Sequence, residues 1–210
     1  MSRLLYLQTS PRGKRSYSNR VGDAFAKAYR KSHSADEVVT VNLFEKDLPP
    51  FDGPAVQAKY VLLHGQEHTL EEWGIWKQVE AVIEEFLAAD KYLVAAPMWN
   101  FSIPYRLKLY VDNLVQPGYT FSFSPEEGYK GLVTGKPLCL VLARGGAYAG
   151  SAEVEALDLQ RRYLETIFGF IGFTEIRSIL VEPTLAEGPD KAREKLESAI
   201  REAETGAAVF

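Results

Sequence analysis

The sequence predicts an α/β protein with one parallel sheet that is covered by helices on both faces. Five short apolar runs have the length of buried strands, and segments with apolar residues at helical spacing separate them. Strands that alternate with helices in this way are typical of a doubly wound parallel sheet. Because 210 residues suit one domain with its own core, we expect residues 1–210 to form a single domain.

The first half of the chain supplies three of these strands and two helices. Apolar residues at helical spacing predict a helix from about Asn19 to Lys31. Thr69 and Glu72 stand three residues apart, as in a capping box, and this predicts that a second helix begins there. Apolar runs bounded by polar or turn-forming residues predict strands at residues 3–8, 37–44 and 91–96.

The second half of the chain continues the alternation. A helix is predicted to begin near Pro104 and to include the segment YRLKLYVDNLV. The alternating apolar residues of GYTFSFS predict a short extended excursion before the fourth strand. The remaining predicted elements are the fourth strand at residues 137–143, a helix from Glu153 to Phe168, a fifth strand at residues 174–182 and a closing helix from Asp190 to Glu204.

The predicted sheet has the strand order 2-1-3-4-5, a flavodoxin-like order that we prefer over a longer dinucleotide-binding sheet. In this order the first, third and fourth strands are neighbours. Ligands of open α/β sheets bind beyond the carboxyl ends of such central strands. We therefore expect the loops after these three strands to form one binding crevice.

Composition and charge exclude several classes of partner. The 24 basic and 28 acidic side chains give a formal net charge of -4, which offers neither a basic surface for nucleic acid nor a polybasic membrane segment. MSRLLYLQ has too short an apolar block for a signal peptide, and no run approaches the roughly 20 apolar residues of a membrane span. Cys139 is the only cysteine and lies in an apolar run, so we expect a buried thiol and a cytoplasmic protein.

The first loop, TSPRGKRSYS, is suited to bind a phosphate group. It offers the hydroxyls of Ser10, Ser16 and Ser18 together with the free amides of a helix N-terminus. It lacks both glycine patterns that hold nucleoside triphosphates or dinucleotides, so a single monoester phosphate is the better fit. Alternatively, Ser16 or Ser18 only caps the helix and the other hydroxyls face solvent.

The second loop, PMWNFSIP, combines aromatic rings with an amide side chain. The backbone amides of Trp99, Asn100 and Phe101 would suit the edge of a planar heterocycle such as an isoalloxazine. Asn100 also supplies a donor and an acceptor together. Alternatively, Trp99 and Phe101 belong to the core and Asn100 is a turn residue.

The third loop, ARGGAYAG, contains paired glycines after the fourth strand. Residues without a Cβ atom allow a backbone to approach a ligand closely, and the amides there would face the pyrimidine end of a flavin. Alternatively, the pair forms an ordinary turn. No loop decides the matter alone, but three such loops at one edge favour FMN as the ligand.

Together these blocks make the chain resemble the FMN-dependent NADH-azoreductases, also described as NADH:quinone oxidoreductases, of the flavodoxin-like superfamily. The similarity covers nearly the whole length. The number and spacing of the matching blocks make the resemblance specific. They are the serine-bearing first loop, APMWNFSIP, LKLYVDNLVQPGYTF, GLVTGK, RGG and YLETIFGFIGF.

The resemblance assigns residues to the cofactor and to the substrate, with no catalytic side chain because the flavin carries the chemistry. Phe123 and Phe170 match aromatic positions of the family's substrate pocket, and Tyr148 is a further candidate there that, like water, would be able to supply protons. The implied FMN-binding residues are Ser10, Ser16, Tyr17 and Ser18 at the phosphate, Met98, Trp99, Asn100 and Phe101 along the ring, and Ala143, Arg144, Gly145 and Gly146 near the pyrimidine edge.

Two positions depart from the family's usual residues. Ala143 stands where members often carry Ser, so one hydroxyl contact to the flavin is missing. Trp99 replaces a frequent Tyr, which alters the shape of the pocket without removing backbone contacts. We therefore expect the same cofactor in a pocket of slightly different outline.

The resemblance implies an enzyme in which NADH reduces FMN and leaves before a quinone or an aromatic azo compound takes the electrons. Such an exchange on one open face predicts ping-pong kinetics. The family is homodimeric, and the second subunit completes the active site. The physiological acceptor and the preference between NADH and NADPH do not follow from the sequence.

The alternative from a different class is a flavodoxin-type electron carrier, which passes electrons to a protein and needs no pocket for NADH. The excursion GYTFSFSPEEGYKG favours the enzyme, because it would wall a substrate site. If the excursion is a simple surface hairpin, this argument is lost.

One further pattern competes with a flavin site. HGQEH, at residues 64–68, matches H-x-x-E-H, in which two histidines four residues apart on a helix bind zinc. Gly65 and the capping box that starts at Thr69 place the pattern at a helix boundary, whereas the ligands need a continuous helical face. We therefore expect no metal site, with His64 and His68 at the surface or at a helix boundary.

Overall fold

Five parallel strands form the central sheet of the computed structural model, which describes all 210 residues. In chain order the strands are β1 (Arg3–Gln8), β2 (Glu37–Asn42), β3 (Lys91–Pro97), the hairpin strands β4 (Phe121–Ser124) and β5 (Gly128–Gly131), β6 (Leu138–Ala143) and β7 (Ile176–Val181). The central sheet has the order β2-β1-β3-β6-β7. Counted without the hairpin, this is the predicted order 2-1-3-4-5, and the predicted flavodoxin-like fold is confirmed.

Seven helices surround the sheet, and a short 3-10 turn at Gly13–Arg15 lies in the first loop. None of the helices is long and apolar enough to cross a membrane. The helices are α1 (Tyr17–Ser32), α2 (Gly53–Leu63), α3 (Leu70–Leu87), α4 (Tyr105–Leu114), α5 (Ala152–Glu155), α6 (Leu159–Ile171) and α7 (Gly188–Ala208).

The core has two parts because side chains of each strand alternate between the two faces of the sheet. Leu5 and Leu7 of β1 join a cluster of 23 buried residues, to which α3, α4 and α6 contribute. Leu4 and Tyr6 join a second cluster of 17 buried residues with α1 and α7. All six residues of β6 are buried, as expected for a central strand that helices cover on both sides.

α2 is absent from the sequence prediction. Its apolar residues do not gather on one face: Ala55, Ala58 and Val61 are buried, while Tyr60 and Leu63 are exposed. A helix without an apolar stripe gives no periodic signal to detect. Asp52 does carry a helix-start signal, since its carboxylate accepts a hydrogen bond from the Ala55 amide at 3.5 Å.

The prediction of one helix from Glu153 to Phe168 is wrong. The segment contains α5 and α6, and the chain turns between them. The Asp158 carboxylate accepts a hydrogen bond from the Arg161 amide at 3.0 Å and so caps the start of α6. An aspartate that can cap a new helix favours a break over a continuous helical interior.

Candidate functional site

A cavity of about 390 Å³ lies at the carboxyl edge of β1, β3 and β6. Its volume falls within the roughly 300–1,000 Å³ of ordinary small-molecule pockets. A larger cavity of about 800 Å³ lies between α1 and α7, away from these loops. The three predicted loops therefore converge on one cavity, which is lined by Ser10, Arg12, Ser16, Tyr17, Pro97, Met98, Trp99, Ala143, Gly145, Thr184 and Leu185.

The start of α1 presents donors that suit an anion. Ser10, Ser16 and Ser18 are all buried, and the hydroxyl oxygens of Ser16 and Ser18 lie 3.0 Å apart. Ser16 also caps the helix, because its hydroxyl accepts a hydrogen bond from the Asn19 amide at 3.3 Å. The amides of Tyr17 and Ser18 have no acceptor within the chain. The capping role and the anion-binding role are thus compatible in one residue.

Tyr6 fixes α1 against β1. Its hydroxyl donates to the backbone oxygen of Asn19 and contacts a carboxylate oxygen of Asp23, both at 3.1 Å. Burial and the nearby Asp23 carboxylate raise the pKa of Tyr6 far above its usual range, so the ring stays neutral. A Cβ atom at Gly22 would lie 2.4 Å from the Tyr6 hydroxyl oxygen. Glycine at this position therefore lets the helix approach the strand and sets the position of the first loop.

The second loop is a tight turn with unusual backbone angles. Trp99 and Ser102 exchange two backbone hydrogen bonds of 3.0 Å, and between them Asn100 and Phe101 have φ values of 48° and 68°. Positive φ at both central positions is typical of a type I′ turn, which glycine and asparagine tolerate but phenylalanine does not favour. Strain of this kind is concentrated at functional sites.

The turn decides which of its amides remain available. The Met98 amide donates to the Ala143 oxygen at 2.8 Å and the Trp99 amide to the Ser102 oxygen, so neither is free for a ligand. The amides of Asn100 and Phe101 have no acceptor within the chain. Trp99 and Phe101 are 37% and 44% exposed, which contradicts the alternative that they belong to the core.

The third loop offers a third pair of free amides. Those of Gly145 and Gly146 have no acceptor within the chain. A Cβ atom would lie 3.6 Å from Leu185 at Gly145 and 3.8 Å from Tyr148 at Gly146, which are ordinary contact distances. Packing within the chain therefore does not require glycine at these positions, whereas close approach of a ligand would explain it.

The side chain of Arg144 points away from solvent and is tied to the protein. It is 1% exposed and forms ion pairs with Asp158 at 2.7 Å and Glu182 at 3.1 Å. Its amide donates to the Val181 oxygen at 3.0 Å. Among the assigned residues, Arg144 thus has its amide bonded within the chain and its guanidinium paired with two carboxylates, although Nη2 makes no hydrogen bond of good geometry.

The substrate-binding candidates lie in two places. Tyr148 contacts Phe101 edge to face, with ring centroids 6.3 Å apart, and so joins the third loop to the second. Phe123 and Phe170 lie instead in an aromatic cluster with Phe121 and Tyr129 at the hairpin β4–β5. They do not line the cavity of their own chain.

The loop after β7 was missed by the sequence analysis. Thr184 and Leu185 line the cavity, and both the amide and the hydroxyl of Thr184 donate to the Arg144 oxygen at 2.9 Å. Arg12, in the first loop, lines the cavity as the only arginine there and was not singled out either. The predicted strand order was the signal that would have found the loop after β7, because this order places the fifth strand, and the loop that follows it, beside the fourth.

Two other reactive patterns lie outside this site. His64 caps the end of α2 and His68 precedes α3, with Gly65 at φ 67° between them, so the two histidines share no helical face. The His68 ring nitrogen Nε2 lies 2.7 Å from the Ala58 oxygen. Burial raises the pKa of the Cys139 thiol to about 12, which leaves it without a thiolate near neutral pH.

The donor set around the cavity fits a planar cofactor with one phosphate. Three pairs of unbonded amides, at residues 17–18, 100–101 and 145–146, lie on the three converging loops. Serine hydroxyls and Arg12 accompany the first pair, which suits a dianionic phosphate. Aromatic side chains accompany the second pair and glycines the third, which suits the edge of a flat ring.

Comparisons with known proteins agree with this geometry. Residues 2–206 match the family model described as flavodoxin-like fold. An FMN-dependent NADH:quinone oxidoreductase from Nitratidesulfovibrio vulgaris strain DP4 is 50% identical over 210 residues, which is 100% of both chains. An azoreductase structure from Bacillus anthracis strain Sterne superimposes with a TM-score of 0.91 at 29% identity, covering 100% of both chains.

A second similar structure contains FMN. It is an FMN-dependent NADH-azoreductase from Bacillus anthracis strain Ames Ancestor in complex with FMN, with a TM-score of 0.90 at 26% identity over 99% of this chain and 98% of that one. The similarity extends over the whole chain for the oxidoreductase and over 99% of it for this structure. The chain therefore belongs to the flavodoxin-like family of FMN-dependent NADH:quinone oxidoreductases and azoreductases.

Proposed function

We propose that this protein is an FMN-dependent NADH:quinone oxidoreductase that also reduces aromatic azo compounds. The observation that carries the proposal is the convergence on one cavity of three loops, each of which has a pair of free amides. This geometry occurs in a chain that is 50% identical, over its full length, to an enzyme of that name. We propose that residues 1–210 form one flavin-binding domain.

The first loop would hold the FMN phosphate. Ser10 and Ser16 line the cavity, and the Ser18 hydroxyl lies 3.0 Å from that of Ser16, so the hydroxyls form one group of donors. The free amides of Tyr17 and Ser18 add the partial positive charge of the α1 N-terminus. Arg12 would supply a full positive charge beside them.

The second and third loops would hold the flavin ring. Met98 and Trp99 line the cavity, and the free amides of Asn100 and Phe101 follow them directly. On the other side, Ala143 lines the cavity and the free amides of Gly145 and Gly146 would face the pyrimidine edge. Bound FMN supplies hydride transfer in both directions. Donors that are already in place would stabilise the negative charge of the reduced ring, typically by a few kcal/mol per well-placed donor.

The exposed face of the site would accept NADH and the electron acceptor in turn. Phe101 and Tyr148 contact each other across the two loops and provide apolar surface against which a flat ring would stack. Because one face serves both partners, the oxidised nicotinamide must leave before the quinone or azo compound binds. Ping-pong kinetics are therefore expected, with NADH as the donor.

We infer that the functional unit is a homodimer. Phe123 and Tyr129 of the hairpin are 59% and 67% exposed and lie away from the cavity of their own chain. Exposed aromatic side chains that cluster together favour a protein contact. In a dimer, the hairpin and Phe170 would line the substrate pocket of the partner. Light scattering would test the dimer, and cell fractionation would test the predicted cytoplasmic location.

A direct experiment tests the proposed activity. The purified protein should be yellow, release FMN on denaturation and lose its flavin absorbance when NADH is added without oxygen. Addition of menadione or of an aromatic azo dye should restore the absorbance without any other protein. A flavodoxin-type carrier would instead bind FMN, but NADH alone would not reduce that FMN. Colourless protein that does not bind added FMN would reject both functions.

A further inference from the structure

A buried cluster of ion pairs lies directly behind the two glycines of the third loop. The Arg144 guanidinium is 1% exposed and contacts Asp158 through Nη2 at 2.7 Å and Glu182 through Nη1 at 3.1 Å. Its third nitrogen, Nε, donates to the Gln160 side-chain oxygen at 3.2 Å. Such a set of contacts requires the flat, forked shape of an arginine. The proposed reaction does not use this cluster directly.

Each partner of Arg144 also fixes another part of the site. Glu182 accepts a hydrogen bond from the Tyr148 amide at 3.2 Å, which holds the end of the loop. Gln160 donates to the Ala96 oxygen at 3.1 Å, just before the second loop. Asp158 caps α6. The guanidinium thus links the ends of β3 and β7 to the third loop.

The backbone of the loop is fixed at its start as well. The Arg144 oxygen accepts hydrogen bonds from the amide and the hydroxyl of Thr184, both at 2.9 Å. The Gly145 oxygen accepts from the amides of Leu185 and Ala186, both at 3.0 Å. Each of these carbonyls shares a peptide plane with the following amide, so these bonds orient the amides of Gly145 and Gly146. Arg144 and Tyr148, held by the ion-pair cluster, fix the position of the segment at its two ends.

We propose that Arg144 is a positioning residue whose buried guanidinium fixes the amides of Gly145 and Gly146 beside the flavin and thereby sets the reduction potential of bound FMN. Arg144 acts through the loop and does not contact the cofactor with its side chain. Negative charge develops on the ring when FMN is reduced, and fixed donors stabilise that form more than the oxidised one. The inference rests on FMN as the occupant of the cavity.

The test uses a substitution that keeps the positive charge but removes the planar group with its three separate nitrogens. In Arg144→Lys, one ammonium group replaces three separate nitrogens and is unable to contact Asp158, Glu182 and Gln160 together. Direct Coulomb effects on the flavin are thereby largely preserved. Arg161→Lys is the matched control, because Arg161 forms an exposed pair with Glu165 at 2.7 Å on the neighbouring surface of α6.

Three measurements are made on each protein loaded with FMN: the dissociation constant of oxidised FMN, the midpoint potential of bound FMN, and the unfolding temperature. In Arg144→Lys we expect the affinity for reduced FMN to fall at least tenfold more than that for oxidised FMN. For a two-electron couple this equals a shift of about 30 mV to more negative potential. Arg161→Lys should keep the potential of the wild type.

A purely structural role for Arg144 would lower the unfolding temperature and leave the midpoint potential unchanged, and that result would overturn the inference. If Arg144→Lys does not fold, Glu182→Asp replaces it, since the shorter carboxylate keeps its charge but retracts from both Arg144 and the Tyr148 amide. The same negative shift is expected, and its absence has the same meaning. Failure of the proposed function is distinguishable, because the wild-type protein would then bind no FMN.

Discussion

The second and third loops of the site present the same feature by different means. Each offers two free amides to the cavity region, at Asn100 and Phe101 in one and at Gly145 and Gly146 in the other. The second loop is held by bonds between residues three positions apart and by positive φ angles. The third is held by a guanidinium whose three partners, Asp158, Gln160 and Glu182, lie 14, 16 and 38 positions further along the chain.

Because of this difference, changes in the two loops should affect the stability of the protein unequally. The second loop stores strain in an exposed turn, so changes there should alter binding more than folding. The third loop is supported by buried charges, and removal of one partner leaves the others without compensation. One side of a binding site can thus be held by a local turn, while the opposite side is held by contacts between distant parts of the chain.

The largest expected effect comes from loss of the buried guanidinium. Arg144→Met leaves Asp158 and Glu182 buried without a cation, and we expect the free energy of unfolding to fall by about 3–5 kcal/mol. Urea titration of the protein without FMN measures this. Arg161→Met removes an exposed cation from the same region and should cost at most about 1 kcal/mol. Equal losses in the two variants would show that burial of the cluster is energetically unimportant.

FMN itself should act on both loops together. At a free concentration 100 times its dissociation constant, FMN should raise the free energy of unfolding by about 2.7 kcal/mol. Amide hydrogen exchange should slow at residues 100–101 and 145–146, because these donors gain an acceptor. The turn at residues 64–68 serves as an internal control, where exchange should not change. Slower exchange in only one of the two loops would contradict the claim that both loops donate amides to FMN.

Asn100→Ala should affect binding with little loss of structure. The side chain is exposed, so its removal opens no cavity. Alanine tolerates the φ of 48° less well than asparagine, which should lower the free energy of unfolding by only about 1 kcal/mol. Loss of its donor and acceptor should weaken FMN affinity about tenfold, or about 1.4 kcal/mol. Gln66→Ala removes an exposed amide side chain from the α2–α3 turn and should leave the affinity unchanged. FMN fluorescence quenching measures both, and unchanged affinity in Asn100→Ala would remove this side chain from the site.

Phe101→Gly should have the smallest effect and the opposite sign on stability. Glycine tolerates the φ of 68° that phenylalanine does not, and this relief outweighs the entropy that glycine adds to the unfolded chain. We expect the free energy of unfolding to rise by up to about 1 kcal/mol. Phe123→Gly, at an exposed strand position with ordinary backbone angles, should instead lower it. A loss in both variants would mean that the turn is unstrained.

The sequence was informative where the signal is local. The fold, the strand order and the three loops follow from apolar runs, helical spacing and breakers, each of which occupies a few neighbouring residues. Ser16 illustrates how far such reasoning extends, since the sequence indicates both a cap and a phosphate ligand but does not show that one hydroxyl can serve both. α2 and the break at Asp158 were missed because neither has a periodic signature.

Sequence alone determined that three polar loops end three central strands, because the order of parallel strands places those ends at one edge. Only the tertiary structure decided which amides remain free, since the Met98 and Trp99 amides are used within the protein while those of Asn100 and Phe101 are not. It also decided that Arg144 supports the site from behind. That role depends on Asp158, Gln160 and Glu182 meeting in the interior, and contacts between residues so far apart in the chain leave no mark in any local pattern.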